Sequence, residues 1–269
     1  MLTEQQLAQF RSAGVVVLRQ FFAPADLARL SAGVDVVLAA DRGRRYREYQ
    51  GVEYDMENLP GDAASMALPR YSVLASQPAE EVELHVGLMR MRTSVGGVAE
   101  HNAALGETML ASEAVWGAMG QLLGPEFIFV GSEVMCGSWN EWRGQGWHSD
   151  RGMADGDSDL DELAFTRAKL MAYPAMATQP QHGALRVIPA SHRRPLHGAL
   201  TRLVQTPGFG ARTAHGELLP LLEDAAGLAD PELMEKQLAR LDAGQLPMAF
   251  AFSSEPGDAV LFNHCLVRP

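Results

Sequence analysis

The sequence lacks the features of membrane, disulfide-rich secreted and nucleic-acid-binding proteins. No run of about 18 or more uncharged apolar residues occurs, and the first residues contain neither a basic stretch nor an apolar signal core. Two cysteines, Cys136 and Cys265, are too few for a disulfide framework. A net charge of −11 disfavours nucleic acid and anionic membranes as partners. We therefore expect a cytoplasmic protein that acts on a small molecule.

Several catalytic signatures are also missing from the sequence. It has no Gly-rich phosphate loop, no Gly-x-Ser-x-Gly nucleophile motif and no Cys-x-x-Cys pair. Nucleotide-binding, hydrolase and disulfide-exchange functions therefore lack support. The 269 residues are 47% hydrophobic and contain no low-complexity linker, which favours a single domain over residues 1–269. The oligomeric state is left open.

The order of predicted elements places helices before many short strands. Thr3 and Gln6 form a capping box, and Gly14 is placed to end this first helix before a buried strand at 15–18. Further helices are predicted from Pro24, over 109–123 and over 231–241. Short apolar runs predict strands at 127–130, 133–136, 169–173, 185–188, 248–252 and 258–262. This order predicts a mainly β fold, a jelly-roll (cupin-like) barrel with flanking helices.

The clearest chemical feature is the pair formed by His148 and Asp150. Two residues apart in an extended chain, their side chains lie on the same face and can chelate one metal ion. Iron(II) oxygenases bind their metal through two histidines and one carboxylate. The pair thus predicts part of such a site.

Three segments, in order along the chain, resemble the phytanoyl-CoA dioxygenase family. Residues 9–18 resemble its first helix and strand, residues 183–193 resemble the segment between its metal ligands, and residues 256–262 resemble the strand before its last metal-binding histidine. The resemblance implies a double-stranded β-helix and a dioxygenase that uses iron(II), 2-oxoglutarate and O2 on a small organic substrate. His148 and Asp150 match the first two ligands. Gln145 and Tyr173 are expected near the co-substrate.

The C-terminal segment departs from this family pattern. Arg268, six residues after Phe262, stands where relatives carry the last histidine, and their arginine for 2-oxoglutarate lies beyond Pro269. Three explanations remain open. The chain is a truncated oxygenase, or His264 is the third ligand, or catalysis is lost and Arg268 places a positive charge where iron would sit. Against His264 stands the expectation that it shares the strand face of Phe262, which would point both away from the site.

The sequence therefore supports two functional hypotheses. In the first, the chain is an iron(II)- and 2-oxoglutarate-dependent dioxygenase. In the second, it retains the barrel as a non-catalytic binding or scaffold protein. The intact His148 and Asp150 favour the first, and Arg268 favours the second.

Overall fold

The computed structural model describes residues 1–49, 52–59, 93–136, 147–150, 167–174, 184–204, 219–222 and 225–268. The chain divides into two compact units. The first comprises Met1–Ala28, Ala111–Phe129 and Arg143–Pro269, and the second comprises Arg29–Leu110 and Val130–Trp142. The single domain expected from the composition stays a prediction.

The described elements follow one another as helices, strands and one 3₁₀ helix. In chain order they are α1 (Glu4–Ala13), β1 (Val15–Leu18), α2 (Pro24–Arg42), β2 (Tyr46–Tyr49), β3 (Val52–Asp55), β4 (Thr93–Gly96), α3 (Val98–His101), α4 (Ala103–Met109), α5 (Glu113–Leu123), β5 (Glu133–Cys136), β6 (Ala168–Ala172), β7 (Arg186–Val187), α6 (Arg194–Val204), the 3₁₀ helix (Ala225–Ala229), α7 (Leu233–Asp242), β8 (Phe250–Ala251) and β9 (Ala259–Asn263). Among these helices, none is both long enough and apolar enough to span a membrane.

Helix α1 begins and ends at the predicted residues. The Thr3 hydroxyl accepts the N–H of Gln6, and the Gln6 side chain accepts the N–H of Thr3, so the capping box is complete. Gly14 ends the helix with φ +75°, a left-handed conformation that favours glycine. A Cβ at this position would lie 2.4 Å from Nδ1 of His192. Glycine is therefore required here both by the backbone and by the packing of His192.

The core of the first unit is built on a three-stranded antiparallel sheet in the order β1, β9, β6. Strand β9 lies in the middle, with Leu261 opposite Val16 on one side and Leu170 on the other. Leu261 and Val260 are fully buried, so both faces of β9 are covered. This explains why residues 259–262 are continuously apolar rather than alternating.

The chain after β9 forms two further backbone pairings. Val267 pairs with Ile188, and Arg268 pairs with His148, each as an isolated antiparallel bridge. The Ser191 hydroxyl also accepts the N–H of Val267 at 2.8 Å. The backbone of residues 267 and 268 is thereby held in place on both sides.

The second unit contains two antiparallel strand pairs in its described part, β2 with β3 and β4 with β5. Arg45 donates two hydrogen bonds to the carboxylate of Asp55 beside the first pair. Asn102 caps α4 by accepting the N–H of Leu105. Residues 46–49 and 52–55 thus form a pair of short strands.

Two predictions are wrong, the strand at 127–130 and the first residue of the helix over 109–123. Residues 127–130 form no strand, because no described strand pairs with them, and Ile128 and Val130 are about four-fifths exposed. The third predicted helix begins at Glu113 rather than at 109, since the Ser112 side chain caps it by accepting the N–H of Val115. A short apolar run does not form a strand without a partner strand.

Candidate metal centre

His148 lies on a short extended segment that pairs with the end of the chain. Its N–H donates to the carbonyl of Arg268 at 2.7 Å, and its carbonyl accepts the N–H of Arg268 at 2.8 Å. Asp150 follows two residues later, with Oδ1 3.8 Å from Nε2 of His148. The predicted proximity of these two side chains is therefore present in the structure.

Arg268 stands directly across from His148 and is directed at the same carboxylate. Its guanidinium donates a hydrogen bond to Oδ1 of Asp150, and its Cζ lies 5.8 Å from the centre of the Phe262 ring. On the other side of the carboxylate, Nζ of Lys169 lies 2.7 Å from Oδ2. Asp150 is therefore held between two cations of the same chain.

These two cations determine the charge state of Asp150. Burial of the carboxyl group opposes its ionisation, but the Arg268 guanidinium and then the Lys169 ammonium outweigh burial and lower the pKa of Asp150 from 3.8 to about 2. Asp150 is consequently ionised throughout the neutral range. Its side chain is only 16% exposed, so water screens these interactions weakly.

His264 approaches Asp150 from a turn that follows β9. Its backbone N–H donates to the carbonyl of Arg167 at 2.9 Å, and its ring Nε2 lies 3.7 Å from Oδ2 of Asp150. Burial lowers the pKa of His264; Asp150 raises it, and Lys169, Arg167 and Arg268 lower it further. The imidazole is therefore favoured in its neutral form, which is the form that binds metal.

The expectation that His264 shares the face of Phe262 and points away from the site does not hold. Strand β9 ends at Asn263, whose side chain accepts the N–H of Cys265 and stabilises a turn. Phe262 lies opposite Lys169, whose Nζ contacts Asp150, and its ring centre lies 5.8 Å from Cζ of Arg268, so Phe262 is on the site side of the sheet. Phe262 itself is buried in the core.

The side chains of His148, Asp150 and His264 are of the types that bind iron(II). The distances between them are longer than those between ligands of one bound ion. Ligand atoms about 2.1 Å from an octahedral ion lie about 3 Å apart, and the distances to Asp150 are 3.8 and 3.7 Å. Within the described ranges, no three His, Cys, Asp or Glu side chains are placed to hold a metal. In this structure the carboxylate of Asp150 is instead paired with Arg268 and Lys169.

Polar atoms around Asp150 are left without partners. Nδ1 of His264 and Nε of Arg268 are buried and have no hydrogen-bond partner among the described residues. Buried polar groups are usually hydrogen-bonded, and unpaired ones point to water or a ligand. Their concentration around one carboxylate supports a binding site at this position.

Of the two residues expected near the co-substrate, the structure describes Tyr173 alone. The Tyr173 hydroxyl accepts the N–H of Leu185 at 2.9 Å, and its ring centre lies 5.9 Å from that of Phe252. Burial raises the pKa of Tyr173, while the hydrogen bond from Leu185 lowers it. Gln145 lies outside the described residues. A role of either residue toward 2-oxoglutarate stays a prediction.

Lys169 is the site residue that the sequence interpretation missed. It lies on β6 opposite Phe262 of β9 and is followed by the apolar Leu170 and Met171. A single lysine within an apolar strand is the signal that could have identified it, because a charged residue in such a run usually has a partner.

Comparisons with known proteins concern the family and the fold of the chain. The family model described as "Phytanoyl-CoA dioxygenase (PhyH)" matches residues 10–267. No curated protein matches the chain. The crystal structure of the non-heme alpha ketoglutarate dependent carbocyclase SnoK from nogalamycin biosynthesis is similar with a TM-score of 0.54 and 15% identity, covering 99% of this chain and 77% of that chain. This similarity shows a shared fold.

A second solved structure is HygX from Streptomyces hygroscopicus, with nickel and 2-oxoglutarate bound. It aligns with a TM-score of 0.42 and 14% identity, covering 100% of this chain and 80% of that chain. A similarity of this size is too weak to support an argument about this chain.

Proposed function

This chain belongs to the phytanoyl-CoA dioxygenase family, since the family model matches nearly its whole length, and we propose that it is a non-haem dioxygenase that hydroxylates a small organic metabolite. Iron(II) and 2-oxoglutarate are the metal and co-substrate of this family. In the proposed role, the chain orients the substrate while the bound metal supplies the oxidation.

The proposed metal ligands are His148, Asp150 and His264. The observation that carries the proposal is their convergence on one carboxylate, with Nε2 of His148 near one oxygen of Asp150 and Nε2 of His264 near the other. Two imidazoles and one carboxylate are the ligand type of non-haem iron(II) oxygenases, which leave positions open for 2-oxoglutarate and O2. His264 replaces the later histidine that relatives supply.

Asp150 and His264 are in the protonation states that metal binding needs. The low pKa of Asp150 keeps its carboxylate charged, and the lowered pKa of His264 keeps its imidazole neutral. When bound, iron(II) with 2-oxoglutarate and O2 supplies an oxidation that gives a hydroxylated substrate, succinate and CO2. We further propose that the strands complete a double-stranded β-helix within one domain, and that Gln145 and Tyr173 lie near the co-substrate.

The test is formation of succinate from 2-oxoglutarate and O2 by protein loaded with iron(II), measured with no added organic substrate. Asp150→Ala and His264→Ala should each abolish succinate formation, because each removes one of three ligands. His101→Ala is a matched control, since His101 is an exposed histidine of α3 in the second unit. If His264→Ala keeps full activity, His264 is not the third ligand.

A second function is favoured by a specific observation, the ion pair between Arg268 and Asp150. In this alternative, the chain is a non-catalytic family member that retains the fold for binding, and Arg268 provides the positive charge that the metal would otherwise supply. Asp150→Ala would then change neither the iron content nor the background turnover of 2-oxoglutarate. The same variant therefore separates the two functions.

A further inference from the structure

Both carboxylate oxygens of Asp150 are already engaged by cations of the chain itself, one by Arg268 and one by Lys169. We propose that Arg268, assisted by Lys169, competes with the metal for Asp150, so that a divalent ion binds only when the guanidinium leaves the carboxylate. This inference rests on the proposed function, because it assumes that Asp150 is a metal ligand. It assigns to Arg268 a regulatory role at that site.

Competition follows from position and charge. A guanidinium hydrogen-bonded to a ligand oxygen occupies a coordination direction of that oxygen and repels a divalent cation. Arg268 is held close to Asp150 because its backbone makes two hydrogen bonds with that of His148, at 2.7 and 2.8 Å. The side chain of Arg268 is 18% exposed, so water weakens its charge little.

The guanidinium of Arg268 can nevertheless leave the Asp150 carboxylate without a change in the backbone of residues 267 and 268. Its Nε has no hydrogen-bond partner among the described residues, so no second acceptor at this atom fixes the guanidinium. Its Cζ lies 5.8 Å from the centre of the Phe262 ring, and an aromatic face stabilises a cation that has lost its carboxylate. Release of Asp150 therefore requires a change of side-chain rotamer rather than of backbone.

Lys169 should compete less strongly than Arg268. Its side chain is 42% exposed, and ion pairs exposed to this degree are screened by water and contribute little. A lysine ammonium also lacks the planar fork that binds a carboxylate through two parallel hydrogen bonds. Removing either cation should therefore lower the Kd for the metal. Removing Arg268 should lower it more than removing Lys169.

The experiment is calorimetric titration of metal-free protein with Ni²⁺, which avoids oxidation of iron(II). Arg268→Gln should lower the Kd for Ni²⁺ by about tenfold to a hundredfold, the size expected for loss of one hydrogen bond between charged groups. Lys169→Gln should lower the Kd by less than about tenfold. Arg19→Gln is the matched control and should leave the Kd unchanged, because Arg19 pairs with Asp258 outside the site.

An unchanged or raised Kd in Arg268→Gln would overturn the proposal, and so would the absence of Ni²⁺ binding in all variants. If Arg268→Gln does not fold, Lys169→Gln decides, because a Kd equal to that of the unsubstituted protein contradicts competition. Succinate formation separates this inference from the proposed function. An Arg268→Gln variant that binds Ni²⁺ more tightly, but makes no succinate with iron(II), upholds the competition and contradicts the dioxygenase.

Discussion

Asp150→Asn in metal-free protein tests whether the ion cluster exists in the folded chain. The substitution preserves the shape of the side chain and removes the charge that Arg268 and Lys169 surround. Each pKa unit corresponds to about 1.4 kcal/mol, so the fall in the Asp150 pKa from 3.8 to about 2 corresponds to about 2 kcal/mol. We expect the free energy of unfolding at neutral pH to fall by about this amount.

The pH dependence of this loss follows from the direction of the shift. Because the folded pKa of Asp150 is lowered, the stabilisation is fully present above the unfolded pKa of about 4. It is lost as the pH falls through about 2, the folded value. The difference between the unsubstituted protein and Asp150→Asn should therefore be constant in the neutral range and shrink in acid.

The assay is urea unfolding in the presence of a chelator, followed by tryptophan fluorescence at several pH values. Asp35→Asn serves as the control, because Asp35 is exposed on α2, and surface substitutions usually change stability by less than about 0.5 kcal/mol. If Asp150→Asn is as stable as the unsubstituted protein, or more stable, the cluster is not formed, and the proposed competition by Arg268 loses its basis.

Two further predictions concern contacts that hold the first unit together. Asp258→Ala should lower the free energy of unfolding by about 2 kcal/mol, because its buried carboxylate accepts the N–H groups of Gln20 and Glu255. Burial opposes ionisation, but these bonds lower the pKa of Asp258, so urea unfolding should show the loss at neutral pH and a smaller one in acid. Gly14→Ala should cost more than about 1 kcal/mol through its φ of +75° and the contact with His192. His192→Ala should recover part of this cost in the double variant, and strictly additive unfolding energies would contradict the contact.

Local rules predicted the N-terminal helix and the central strand well. The capping box at Thr3, the terminating Gly14 and the apolar run of β9 act through neighbouring residues, and the structure confirms each of them. The two-residue spacing of His148 and Asp150 predicted their proximity for a similar reason, since residues two apart in an extended chain share one face.

The remainder of the site depends on contacts between distant segments, which periodicity does not report. Lys169 reaches Asp150 from β6, which pairs with β9, and His264 reaches it from the turn that follows β9. The run at 127–130 has the composition of a strand and pairs with no strand in the part of the chain that the structure describes. Whether an apolar run forms a strand, and which side chains reach the site, thus depends on strand pairing and turns rather than on local composition.

Anaerobic addition of iron(II) and then 2-oxoglutarate to protein of confirmed intact mass tests the central claim most directly. The account predicts a weak visible charge-transfer band from the metal chelate. The band should be absent in Asp150→Ala and should form at lower iron concentration in Arg268→Gln. No band at any iron concentration, in the unsubstituted chain or in Arg268→Gln, would contradict both the proposed metal site and the dioxygenase function.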